Sequence, residues 1–395
     1  MRCAFCTRSI RDRISRLRQF DVIRYAQKAC SNIHILKLMR DEGVVVDAVS
    51  LGEIERSLAA GFRPDGDPEG VVFTADLIDM PTLGKVLACG ITVNAGSLDM
   101  LARIGQHSAG HRVWLRINPG FGHGHSRKTN TGGPRSKHGI WFDDVTRAIE
   151  MVRQYQLKLV GIHMHIGSGV DYEHLSKVCD AMVDIVETLD HDIEAISAGG
   201  GLSVPYRESE PNVDVDHYFR QWDAARKRIE RHLAHAVRIE IEPGRFLVAE
   251  AGTLVTQVQS INRRPDCAFV LIDAGFNDLL RPAMYGSQHP VTVHALDSTP
   301  PENRQLASVA IAGPLCESGD VFTQDSTGVV THQQLPHPQP GDLLLFGCAG
   351  AYGASMSSNY NSRPLAAEVL VDRGVPRLIR RRQTIDELLA LELQV

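Results

Sequence analysis

Short apolar runs alternate with longer amphipathic stretches through the first two-thirds of the chain. The runs are Ile23–Ala29, Val44–Ser50, Gly70–Ala75, Ile91–Gly96, Arg112–Asn118, Leu159–Ser168, Ala195–Gly201 and Arg238–Gly244. They are rich in Val and Ile and mostly lack polar alternation, the pattern of strands buried on both faces. The stretches between them predict helices. Ile33–Arg40 follows the capping pair Ser31-Asn32, and Glu53–Ala60 stops at Gly61. Asp143–Tyr155, Glu173–Leu189 and Asp216–Leu233 place apolar residues at i, i+3 and i+4. Eight such β-α units in about 220 residues predict a (β/α)8 TIM-type barrel. A doubly wound sheet is the alternative, and the eightfold count favours the barrel.

The rhythm changes after residue 246. Val255–Ile261, Phe269–Asp273, Ser308–Ala312, Asp342–Phe346, Ala367–Val371 and Arg377–Arg381 read as strands between Pro- and Gly-rich turns, with a helix at Ile385–Leu393. Leu296–Gln305 and Gly328–Pro340 read as loops. The predicted fold class is α/β, a barrel over residues 21–246 followed by a mainly β domain over 247–395. Residues 1–20 form a short leading segment, helical and part of or next to the β-domain.

Composition narrows the function classes. The 395 residues are 43% hydrophobic and carry a net charge of −5, which suits a globular protein and excludes wholesale disorder. The acidic balance argues against a nucleic-acid partner. No apolar run approaches the ~20 residues of a membrane span, and the first residues lack a signal core. Eight mostly scattered cysteines fit a reducing, cytoplasmic setting. Cys3 and Cys6 form a C-x-x-C without a second ligand pair, so no metal site is expected.

The C-terminal ends of the predicted strands carry the chemistry. They hold Lys28, Asp47, Thr74, Asn94, Arg116 with Asn118, His165, the run Gly199-Gly200-Gly201, and Glu242 with Arg245. Barrel active sites lie on that face. A lysine at a buried strand end is costly unless paired or used covalently, as a Schiff-base lysine is. A lysine on the surface is the plainer reading of Lys28 alone. The glycine run lets backbone N–H groups approach an anion, or makes a tight structural turn; it lacks G-x-G-x-x-G spacing. Glu242-Pro243-Gly244-Arg245 sets a carboxylate and a guanidinium across a turn, where they either pair or serve a cofactor with a basic ring nitrogen and a phosphate. His163 and His165 alternate, so in a regular strand they point to opposite faces, one to the barrel centre and one under a helix. In the β-domain, Cys316 sits beside Glu317, whose charge raises a thiol pKa and suits a proton donor better than a nucleophile.

Together these stretches resemble one family. YAQKACSN, VDAVSLGEIERSLAAGF, WLRINPGFGHGHSRKTNTGG, SKHGIW, GIHMHIGSG, SAGGGLSVPY, EIEPGRFLVAEAG, DAGFNDLLRPAMYGS, AGPLCESGDVF and GAYGASMSSNYNSRP run from about residue 20 to the end. They resemble the pyridoxal-phosphate-dependent decarboxylases of the alanine-racemase-like fold type, and among these the diaminopimelate decarboxylases. The resemblance implies decarboxylation of meso-2,6-diaminopimelate to L-lysine, the last step of lysine biosynthesis, by a pyridoxal 5'-phosphate Schiff-base mechanism. It makes Lys28 the cofactor-binding lysine and stacks His165 on the cofactor ring. Ser168, Gly201, the Pro243-Gly244-Arg245 turn and Tyr352 hold the phosphate, and Glu242 pairs with the ring nitrogen. Arg245, Arg281 and Tyr285 take the distal carboxylate of a small amino-acid substrate, with Tyr352 at the substrate too, and Glu317 takes its distal amino group. Cys316 returns a proton after carbon dioxide leaves.

The same resemblance implies a homodimer with shared active sites, Lys137 and Asp320 forming a salt bridge between subunits. The alternatives are a decarboxylase of ornithine, arginine or carboxynorspermidine, or an inactive regulatory homologue. A racemase would need a tyrosine base that is not found. One departure stands out. The family's leading β-domain strand has only a weak counterpart in Arg2–Arg8, while Ser9–Phe20 fits the helix after it. Either the start is truncated or misassigned, or the β-domain lacks part of a strand and exposes an edge.

Overall fold

A computed structural model describes residues 2–122, 131–165, 167, 171–207, 209–265, 267–296 and 300–393. The chain divides into two compact units. One comprises residues 12–203 and 213–246; the other comprises 1–11, 204–212 and 247–395.

In chain order the strands are β1 (Arg2–Cys6), β2 (Val22–Ala26), β3 (Val45–Ala48), β4 (Val71–Ala75), β5 (Thr92–Ala95), β6 (Arg112–Asn118), β7 (Ile140–Trp141), β8 (Lys158–His163), β9 (Ala195–Ser197) and β10 (Arg238–Ile241). They continue with β11 (Gly252–Arg263), β12 (Ala268–Ile272), β13 (Val291–His294), β14 (Leu306–Ala312), β15 (Gln333–Pro336), β16 (Leu343–Phe346), β17 (Ala367–Asp372) and β18 (Val375–Arg380).

The first unit is the barrel. Strands β2, β3, β4, β5, β6, β8, β9 and β10 pair in parallel, and β10 returns to β2 through Glu240↔Val22 and Ile241↔Ile23. All five residues of β2 and all four of β5 are buried, as strands covered on both faces must be. Six of the intervening helices start on side-chain caps; Val145–Gln154 does not. Asn32, Ser50, Asp79, Ser97, Asp171 and Asp214 each accept a backbone N–H of the first turn. Two helices, Met80–Cys89 and Leu98–His107, were not among the predicted ones.

Arg24 is 1% exposed and donates to Glu240 at 2.8 and 3.1 Å and to the Glu69 carbonyl at 2.8 Å. Arg112 donates to Glu69 at 3.0 Å. Removing one partner of such a buried set strands a charge, so Arg24→Met should lower barrel stability by about 3–5 kcal/mol. The double change Arg24→Met/Glu240→Leu should recover part of the loss. Trp114, Trp141 and Trp222 all lie in the barrel unit, so tryptophan fluorescence during urea unfolding reads this unit selectively. Equal midpoints for Arg24→Met and the parent would refute it.

The second unit is a nine-stranded, mainly antiparallel sheet system in the order β15-β14-β12-β11-β1-β17-β18, with β16 joining β11 to β13. Along β11 buried and half-buried residues alternate, placing Leu254 and Val258 in a core with Val270, Ile272, Ile311, Leu344 and Phe346. The expected gap at the N-terminus is corrected here. Arg2–Cys6 is an interior strand, antiparallel to β11 and parallel to β17. Its small Cys3 and Ala4 fit between two neighbours, which a search for bulky β-formers overlooks. The following helix is Thr7–Ser15, not Ser9–Phe20. The predicted loop Gly328–Pro340 contains β15, and β13 was likewise missed. No helix among the described residues is long and apolar enough to cross a membrane.

Candidate active site

Lys28 lies just past β2, in a 3-10 turn Gln27–Ala29. The turn carries it beyond the ladder, so its side chain is exposed, not buried as a strand-end lysine would be. Buried Gln27 anchors the turn by donating to Ser57 Oγ at 2.8 Å, and Tyr25 donates to the Cys30 carbonyl at 2.9 Å. The end of β2 is tied to the Glu242–Arg245 turn, because the Ala26 N–H donates to the Pro243 carbonyl at 3.2 Å. Gly244 packs tightly there; a Cβ would stand 3.1 Å from the Ala26 carbonyl oxygen. Arg245 opens the short helix that follows.

Glu242 follows β10. Its Oε2 meets His163 Nε2 at 2.8 Å, and its Oε1 accepts from Ser197 Oγ at 3.3 Å. Burial pushes this carboxyl up, yet the pull of His163, with Arg24 behind it, brings its pKa down to about 2. Asp47 on β3 goes the other way. Burial, then the charge of Glu242, raises its pKa well above the ordinary value. The two carboxyls are thus pushed in opposite directions, Glu242 towards the ionised form and Asp47 towards the protonated one.

His163 and His165 do not sit on opposite faces. The strand β8 ends at His163, so the alternation stops before His165. His165 is half-buried and accepts the Gly200 N–H on Nδ1 at 3.2 Å. Burial first, then the charges of Arg116 and Lys28, lowers its pKa well below the usual value. An accepting Nδ1 and a depressed pKa agree on a neutral imidazole. The glycine run packs around it. Gly199 and Gly201 adopt φ +60° and +108°, and a Cβ at Gly200 would lie 2.5 Å from the Glu242 carbonyl. Only glycine permits this close approach.

The β unit carries the other expected residues. Arg281 is 4% exposed at the head of a short helix, Arg281–Tyr285, which Gly286 ends at φ +62°. The chain then doubles back. Arg281 donates to Ser287 Oγ at 3.2 Å and to His289 Nε2 at 3.1 Å, and its guanidinium lies 4.5 Å from the Tyr206 ring centroid. Tyr285 is half-buried on the same helix. Cys316 and Glu317 are exposed on a loop folded around Asp320. Asp320 accepts the Phe276 N–H at 2.7 Å and the Leu315 N–H at 2.8 Å. Tyr352 holds φ +60°, a conformation a bulky side chain adopts only when its surroundings impose it.

Asp320 is 3% exposed, and each carboxylate oxygen already takes a backbone N–H, so it shapes the Cys316 loop; Lys137 lies 3.8 Å from Asp76. The Lys137–Asp320 bridge expected between subunits stays a proposal that goes with the homodimer. Ser168 lies outside the described residues. The sequence also understated His163, Ser197, Tyr206 and His289. H-x-H marked His163, but only the end of β8 shows which way it faces.

Residues 7–249 match the pyridoxal-dependent decarboxylase, pyridoxal binding domain family. The chain is 62% identical over 384 residues to the diaminopimelate decarboxylase of Escherichia coli K12, covering 97% of this chain and 91% of that one. The chain belongs to the diaminopimelate decarboxylase family. A crystal structure of a diaminopimelate decarboxylase superposes with TM-score 0.97 at 61% identity, covering 99% of this chain and 93% of that one. That of the Helicobacter pylori diaminopimelate decarboxylase, complexed with L-lysine, gives TM-score 0.87 at 30% identity, covering 100% of this chain and 96% of that one. The residues present fit the family's pyridoxal phosphate. A buried carboxylate held ionised suits a protonated ring nitrogen, and the glycine run lets the backbone pack closely against His165 and the Glu242 carbonyl at the same end of the barrel.

Proposed function

We propose that this chain decarboxylates meso-2,6-diaminopimelate to L-lysine and carbon dioxide with pyridoxal 5'-phosphate, the reaction that completes lysine biosynthesis. The observation that carries the reading is the 62% identity over 97% of the chain to a diaminopimelate decarboxylase. Pyridoxal phosphate, when bound, supplies a conjugated ring that takes up the electron pair left by the departing carboxylate.

The chain's own groups do the rest. Lys28 offers the primary amine that holds the cofactor. Glu242, ionised, keeps a proton on the ring nitrogen. His165, neutral, offers an uncharged flat face. Gly201, the Pro243-Gly244-Arg245 turn and Tyr352 hold the phosphate, with Ser168 expected to join them. Arg281, Tyr285 and Arg245 take the distal carboxylate of the substrate, Tyr352 lies at the substrate too, and Glu317 takes the distal ammonium. A planar guanidinium grips a carboxylate through parallel hydrogen bonds. As the C–C bond breaks and carbon dioxide leaves, the Cys316 thiol delivers the proton that forms the new C–H bond.

Exposure of Cys316 and Glu317 supports a homodimer in which this loop of one chain serves the barrel of its partner. A mixture of Lys28→Ala and Cys316→Ala chains, each inactive alone, should regain about a quarter of parental activity after random subunit exchange, because half the chains pair unlike and each such pair restores one of two sites. Persistent inactivity despite demonstrated exchange would refute shared sites. Eight cysteines free of disulfides support a reducing, cytoplasmic setting.

The functional reading is tested by carbon dioxide and L-lysine release from meso-diaminopimelate, with ornithine and arginine as parallel substrates. Activity on diaminopimelate alone is expected. Activity on ornithine or arginine instead would overturn the assignment.

A further inference from the structure

The side chains around Arg281 form a device that the family resemblance did not assign. An arginine only donates hydrogen bonds, so His289 Nε2, 3.1 Å from its NH1, must be the unprotonated nitrogen. The other ring nitrogen, Nδ1, stands 3.0 Å from the Gly347 carbonyl oxygen, which only accepts, so Nδ1 carries the proton. The two contacts demand the same tautomer. His289 is 4% exposed, and its ring meets the Tyr206 ring edge-on, with centroids 5.3 Å apart. Tyr206 also faces the guanidinium at 4.5 Å, and Ser287 Oγ takes a further N–H at 3.2 Å. Arg281 is thus gripped in the plane of its fork by His289 and Ser287 and supported by an aromatic face. Gly286 makes this possible by reversing the chain after one helical turn; a Cβ there would lie 2.3 Å from the Ser326 nitrogen.

We propose that His289 is a positioning residue, which with Tyr206 fixes the orientation of the Arg281 guanidinium for the distal carboxylate of the substrate. This rests on the proposed assignment of Arg281 to that carboxylate. Two-point carboxylate recognition depends on the angle of the guanidinium plane, so a loosened Arg281 weakens binding of the distal head more than the bond cleavage itself.

The test uses steady-state kinetics of the holoenzyme with meso-diaminopimelate. His289→Leu should raise KM about tenfold or more, the scale of a lost hydrogen bond to a charged group, while kcat changes by less than about threefold. His289→Gln, whose side-chain carbonyl accepts from Arg281, should return KM most of the way. The second readout is competitive inhibition by 1,5-diaminopentane, which keeps both amino groups and lacks both carboxylates. Its inhibition constant should be the same in parent and His289→Leu.

An unchanged KM in His289→Leu overturns the proposal. So does a KM that rises together with the diaminopentane constant, which marks general loosening of the site. If His289→Leu does not fold, Tyr206→Leu against Tyr206→Phe asks the same question. Tyr206→Phe keeps the aromatic face and should bind normally, and Tyr206→Leu should raise KM alone; equal KM values in the two sink the idea. A parent protein inactive on diaminopimelate would instead refute the functional reading itself.

Discussion

Lys28→Ala should abolish decarboxylation, with kcat falling by at least about 10³-fold, the scale seen when a covalent catalytic group is removed. The position explains the size of the effect. The 3-10 turn after β2 projects Lys28 out of the ladder, and the Gln27–Ser57 and Ala26–Pro243 hydrogen bonds set the turn against the Glu242 segment. No other lysine lies in that turn. The exposed side chain makes no packing contribution of note, so the variant should melt at the parental temperature once compared without cofactor. Visible absorbance from a covalently held cofactor should vanish, and added methylamine should restore a small part of the activity. Activity within tenfold of the parent would mean that Lys28 is not the cofactor-binding amine.

Glu242→Gln should lower kcat by about 10²–10³-fold, the range for removing one preorganised electrostatic partner. Glutamine preserves shape, and its amide can still reach His163 and Ser197, so the barrel should fold. The missing charge is the point. The Glu242 carboxyl is held at about 2 against the opposing effect of burial, which keeps it ionised at all working pH values. Its native pKa is depressed, so the charge and its stabilising contribution persist above the ordinary carboxylate range. The stabilising contribution fades as pH falls below that range, and the charge itself is lost as pH falls through about 2. An acid limb in the activity profile near pH ~5–6 must then arise from another group. Glu242→Gln should retain visible cofactor absorbance while losing turnover, which separates it from Lys28→Ala. Turnover within about threefold of the parent would refute the role.

The two variants together probe the barrel's C-terminal face, where sequence and structure agree least on detail. The predicted runs Leu159–Ser168, Ala195–Gly201 and Arg238–Gly244 end as strands at His163, Ser197 and Ile241. Two of the predictions run past the strand ends where Met164 and Ala198 continue the apolar pattern. Positive φ at Gly199 and Gly201, and the missing N–H of Pro243, end the ladders there. Those terminations aim His163 at Glu242 and leave His165 under the glycine run.

The alternation of apolar runs and amphipathic stretches by itself determined the barrel, because a parallel sheet covered by helices needs strands buried on both faces. Rare combinations such as YAQKACSN, EPGR and CES determined the family, since each residue in them meets a chemical demand at short range. Tertiary structure alone decided the rest. Whether Arg2–Cys6 is a strand depends on partners about 250 and 365 residues away, β11 and β17. The directions in which the pKa values of Glu242, Asp47 and His165 move depend on burial and on charges brought in by other strands. The tautomer of His289 depends on a carbonyl 58 residues away. Local pattern carries propensity and periodicity. Hydrogen-bond partners and electric fields come from contacts that exist only once the chain has folded.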